Sequence, residues 1–135
     1  MTDYATRATG AAAELRDAAL GVDPAEFDRL ATAIAAAARI VCHGVGREGL
    51  MMRALAMRLY HLGLDAHVAG DMSCPPVGPG DLLIVSAGPG DFATIAALVH
   101  VANGAVATTV CITAQPAAPV PLACTFVLTI PAQTM

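Results

Sequence analysis

The chain contains no lysine; all seven of its basic residues are arginine. That excludes Schiff-base catalysis, a pyridoxal-phosphate lysine and the lysine of a nucleotide-binding P-loop. Charge of either sign is scarce at 13% of residues, and the net charge is −4. Without basic clusters the surface does not suit nucleic acid. From Phe92 to Met135 there is no Asp, Glu, Lys or Arg at all. A helix and two strands without charge present a solvent face poorly, so this third is expected to be covered. Any carboxylate with a chemical role must then lie at or before Asp91.

Long apolar runs are also missing. The least polar stretch, Phe92 to Ala114, is interrupted by His100 and by Asn103-Gly104, so a membrane span is not expected. The start Met1-Thr2-Asp3 lacks the basic-then-apolar pattern of a secretory leader. Cys42, Cys74, Cys111 and Cys124 lack paired metal-ligand spacing, so no cysteine metal site is expected. Reduced thiols in a cytoplasmic protein fit them better.

What the chain does have is apolar content, 56% over 135 residues, enough for a single domain with a real core. An alanine-rich amphipathic helix is predicted over residues 3–20, ending at Gly21. Asp23-Pro24-Ala25-Glu26 reads as a capping box opening a second helix to about Ala38. A first strand covers Arg39 to His43. A third helix covers about Arg47 to Leu62, with an apolar stripe of Met51, Leu55, Leu59 and Leu62. Further strands are expected at Ala66–Ala69, Leu82–Ser86, Val106–Thr113 and Phe126–Ile130. A helix capped by Asp91 precedes the fourth, and a loop from Gln115 to Pro121 precedes the fifth. Strands rich in Val, Ile and Leu without alternation, separated by helices, predict an α/β three-layer sandwich on a parallel sheet. Five strands fit the flavodoxin-like order 2-1-3-4-5, with strands one and three adjacent at the switch point.

Two glycine turns then open into one crevice: Gly44-Val45-Gly46-Arg47-Glu48-Gly49 and Gly88-Pro89-Gly90-Asp91. Each follows a strand and precedes a helix, where unpaired N–H groups and the helix dipole favour an anion such as phosphate. The spacing Gly44, Gly46, Gly49 with Asp71 further on also matches a dinucleotide fingerprint, but that scheme leaves the second turn unexplained.

These residues resemble the sugar isomerase (SIS) family of phosphosugar-binding domains, most closely its 6-phospho-3-hexuloisomerase branch. The matching stretches are Gly44-Val45-Gly46-Arg47, Ala56 to Leu64 (Ala-Met-Arg-Leu-Tyr-His-Leu-Gly-Leu), Gly80 to Val85, and Ile130-Pro131-Ala132-Gln133-Thr134. The similarity runs from about residue 10 to the end, and Arg58 to Gly63 is its most specific part. The resemblance implies the five-stranded sandwich, a homodimer or homotetramer, and cofactor-free isomerisation of a phosphorylated sugar. The implied reaction converts a 3-hexulose 6-phosphate to fructose 6-phosphate. It places ligand contacts at Gly44, Gly46, Arg47, Ser86, Ala87, Gly88, Pro89, Gly90, Asp91 and Phe92. His61 or Glu48 would move the protons, with His43 a further candidate near the crevice.

The chain departs from the family's pattern at telling positions. Glu48 stands where the first loop usually carries serine, and Ala87, Pro89 and Phe92 replace three phosphate-facing hydroxyls of the second. A lost hydrogen bond to a charged group is worth about 1.5–3 kcal/mol, so three cost about 4–9 kcal/mol. The relatives also continue into a helical segment with a glutamate base beyond the last strand. Residues 1–135 therefore read as one SIS domain lacking that segment. These departures keep a non-catalytic sugar-phosphate-binding module open as the alternative.

Overall fold

Five short strands form one parallel sheet in the order β2-β1-β3-β4-β5. They are β1 (Ile40–Gly44), β2 (Ala66–Val68), β3 (Leu82–Ser86), β4 (Thr108–Thr113) and β5 (Phe126–Thr129). The helices are α1 (Tyr4–Leu20), α2 (Pro24–Ala36), α3 (Gly46–His61), α4 (Ala93–Gly104) and α5 (Pro119–Ala123). The computed structural model describes residues 3–134. Met1-Thr2 and Met135, on which the expectations about a leader and the chain end fall, lie outside them. No helix among the described residues is long and apolar enough to cross a membrane.

The continuous apolar strands are explained by helices on both sheet faces. Ile40, Cys42, Leu82, Ile84 and Val110 point into one core with Leu30 of α2 and Met52, Ala56 and Leu59 of α3. Val41, Leu83, Val85 and Cys111 point the other way, against Ile95, Val99 and Ala102 of α4 and Val120 of α5. The buried stripe of α3 is thus Met52, Ala56 and Leu59, whereas Met51 and Leu62 of the expected stripe are exposed. The turn of helix at α5 replaces part of the expected Gln115–Pro121 loop.

Local capping differs from expectation in two places. Asp23 caps α2 by accepting from Ala25 N at 2.8 Å. Glu26 does not complete the box; its carboxylate reaches β5 and accepts from Thr129 N at 2.6 Å and Thr129 Oγ1 at 3.3 Å. It thereby satisfies an edge-strand donor. Asp91 does not cap α4; the cap position is Phe92, with no side-chain hydrogen bond.

α1 buries none of its residues, leaving Tyr4, Leu15 and Leu20 exposed. The uncharged last third is covered only in part, since Val101, Val106 and Leu122 remain exposed. Val106 follows α4 at φ 62°, the left-handed region that a β-branched residue adopts at a penalty. Its side chain is 72% exposed, so little packing is lost on removal. Val106→Gly is expected to stabilise the domain by about 1 kcal/mol, raising the melting temperature in a thermal scan by about 3–4 °C.

Candidate functional site

Because β1 pairs with β3 in parallel, Gly44 lies opposite Ser86 and both glycine turns emerge side by side. Each strand end leads directly into its turn, so the order of the sheet alone brings residues about forty positions apart into one crevice. In the first turn Gly46 adopts φ 59° and opens α3. Gly44 and Gly49 close it by direct backbone packing. A Cβ on Gly49 would fall 2.6 Å from Gly44 O, and one on Gly44 would fall 2.9 Å from Gly49 N. In the second turn, Gly88 O accepts from Ala114 N at 3.1 Å and from Thr113 Oγ1 at 3.3 Å, tying the turn to the end of β4.

A cavity of about 580 Å³ lies over these strand ends. Its walls are Val45, Gly46, Arg47 and Glu48 from the first turn, and Ser86, Gly88, Pro89 and Phe92 from the second. Its remaining wall comes from Ile112, Thr113 and Ala114 after β4, and from Ile130, Ala132, Gln133 and Thr134 after β5. The two charged groups lining it are Arg47 and Glu48. Arg47 is exposed and has no hydrogen-bond or ion-pair partner among the described residues, so its guanidinium is available to a ligand. Glu48 is half-buried and engaged. Its carboxylate accepts from Ser86 Oγ and from Gly88 N, the latter at 2.9 Å to Oε2 and 3.1 Å to Oε1.

Several sequence candidates stand elsewhere. Gly44 does not line the cavity; it supports the turn from beneath. Ala87 is fully buried in the core, and Gly90 is buried against Ala118 and Gln115. Asp91 is exposed and outside the cavity wall. His43 is half-buried in β1 and does not line the cavity. His61 ends α3, fifteen residues beyond Gly46. At 1.5 Å per residue that is about 22 Å away, too far for proton transfer in the same chain's cavity. Sequence reasoning missed the wall after β4 and β5. The signal was there, since those segments also leave the carboxyl ends of parallel strands.

The other reactive groups do not compete for this site. Burial pushes the Cys42 thiol up to about 12. The Cys111 thiol is pushed up as well, first by the hydrogen bond between Cys111 and Cys124 and then by burial. His67 bonds Asp65 at 2.7 Å, which holds the Asp65 carboxyl below the usual carboxylate range. Asp71, the acid of the dinucleotide alternative, lies beyond the end of β2 and pairs with Arg53 at 3.4 Å.

No family model matches the chain. Among curated proteins it is 47% identical over 73 residues to the 3-hexulose-6-phosphate isomerase of Mycobacterium gastri, covering 54% of this chain and 37% of that protein. It also superposes on a Methanococcus jannaschii hypothetical protein whose crystal structure infers a 3-hexulose-6-phosphate isomerase function. That match has TM-score 0.77 at 26% identity, over 82% of this chain and 62% of that one. The chain has the sugar isomerase (SIS) fold and is similar to 3-hexulose-6-phosphate isomerases over about half of its own length. It spans less than half the length of the curated relatives it matches. It also superposes on the Vibrio vulnificus NanR protein complexed with ManNAc-6P, with TM-score 0.82 at 26% identity over 96% of this chain and 52% of that one.

Proposed function

We propose that this SIS chain binds a sugar phosphate over the carboxyl ends of β1, β3, β4 and β5 and isomerises it as a 3-hexulose-6-phosphate isomerase does. The observation that carries the reading is the unpaired Arg47 on the rim of a 580 Å³ cavity built from both glycine turns. Arginine suits a phosphate through its planar set of donors. The conversion of a 3-hexulose 6-phosphate to fructose 6-phosphate removes a proton from C2, passes through a 2,3-enediol and returns a proton to C3. Glu48 is the carboxylate lining the cavity and so the base this chain offers there.

The reading extends to a cytoplasmic homo-oligomer. Its support is the uncovered apolar side of α1 together with exposed Met57, Tyr60 and Leu62 toward the end of α3. A second copy burying those residues would also bury the surface around His61. His61 joins the chemistry only if such a copy's cavity receives it.

One observation favours a second reading, a binding module without turnover: Glu48 is already held by Ser86 and Gly88. Thermal-shift measurements with fructose 6-phosphate and arabinose 5-phosphate, followed by an isomerase assay, separate the two. Isomerisation at a measurable rate supports the enzyme. A raised melting temperature without turnover supports the module, and no shift with any phosphosugar removes the ligand class.

A further inference from the structure

We infer that Glu48 is a specificity-determining residue that occupies the anion cradle of the second glycine turn and must leave it before a ligand phosphate can enter. The inference rests on the phosphosugar reading for its ligand but on hydrogen-bond geometry for its mechanism. From Ala87 to Gly90, the turn has three backbone donors, because Pro89 has none. Ala87 N donates to Ile112 O at 2.9 Å, and Gly90 N donates to Ala87 O at 2.9 Å. Gly88 N is the donor that remains to face the cavity, and both Glu48 oxygens take it. The adjacent hydroxyl, Ser86 Oγ, also donates to Glu48.

The carboxylate therefore fills the place two phosphate oxygens would take, using the same donors. An arriving phosphate meets a like charge at contact distance and no free amide in this turn. Gly88 makes the arrangement possible, since a Cβ there would approach Glu48 Oε1 to 3.0 Å. With the cradle filled, Arg47 is the donor left at the cavity wall, and only a ligand able to displace the carboxylate gains Ser86 Oγ and Gly88 N–H as well. Serine at position 48 is too short to fill the cradle and leaves Ser86 Oγ and Gly88 N–H for the ligand.

Isothermal titration of wild type, Glu48→Ser and Glu48→Gln with inorganic phosphate and with fructose 6-phosphate tests this, each protein first being checked for a cooperative melt. The expected result is at least tenfold tighter binding of both probes by Glu48→Ser. Glu48→Gln should gain less, because its amide keeps the shape while losing the charge. Should Glu48→Ser fail to fold, the gain by Glu48→Gln over wild type decides. Tighter phosphate binding without fructose 6-phosphate binding upholds the cradle and removes the sugar ligand. Equal fructose 6-phosphate binding by wild type and the variants upholds the ligand and overturns the role of Glu48. No gain with either probe overturns the role of Glu48 as well.

Discussion

Gly49→Ala is expected to lower the melting temperature by about 6–10 °C and to abolish phosphosugar binding at the same time. The new Cβ would stand 2.6 Å from Gly44 O and 3.1 Å from Gly44 C, both backbone atoms fixed in β1. Neither can turn away as a side chain could, so the first turn of α3 must lift from the strand. Overpacking of this kind costs about 1–3 kcal/mol, and a contact with rigid backbone belongs at the upper end. For a domain of 135 residues each kcal/mol corresponds to about 3–4 °C. Function falls with it because the lifted turn carries Gly46, Arg47 and Glu48, three parts of the cavity wall. Gly10→Ala is the control. It lies in α1 with nothing within 4 Å of the added methyl, so the melt is expected to hold or rise slightly. Differential scanning calorimetry of the two variants checks the contrast. A Gly49→Ala melt equal to wild type would mean that the close approach of helix and strand is not what shapes this turn.

Gly49 also marks how far the sequence can be read. The strands were legible because Val, Ile, Leu and Cys run on without alternation, and burial on both sheet faces is the physical reason for that pattern. The convergence of the two turns followed from strand order alone, and Gly44 does pair with Ser86. The third helix also fixed, through its length, the separation of His61 from Glu48. Spacing along a helix converts directly to distance, and thirteen residues of α3 separate these two proton-transfer candidates by about 20 Å, so they do not share one chain's cavity.

What remained hidden are contacts between residues far apart in the chain. Glu48 stands in the first turn of α3, where the helix dipole favours an acid, and nothing local reveals that Gly88, forty residues on, supplies its hydrogen bond. Glu26 looked like half of a capping box, whereas its partner Thr129 is 103 residues away. In both cases a carboxylate accepts from a distant backbone donor rather than from its own helix. α5 was hidden for another reason: proline at Pro119 and Pro121 reads as loop, though proline is tolerated in a first helical turn.

Arg47→Ala is expected to weaken phosphosugar binding about 10- to 100-fold while leaving the melt within about 1–2 °C of wild type. The two effects separate because Arg47 is exposed and has no partner among the described residues, so its removal leaves no buried group unsatisfied. A charge-assisted hydrogen bond from the guanidinium to phosphate is worth about 1.5–3 kcal/mol, which gives the expected range. The loss should lie toward its upper end because Glu48 occupies the second turn's donors and leaves Arg47 as the cavity's cation. Arg47→Lys should recover part of the affinity, since lysine restores the charge but not the paired planar donors. In Glu48→Ser the same Arg47→Ala change should matter less, because the freed Gly88 N–H and Ser86 Oγ then share the phosphate. Titration of the single and double variants with fructose 6-phosphate measures that coupling. Equal losses in both backgrounds would mean that the two residues act on separate parts of the ligand.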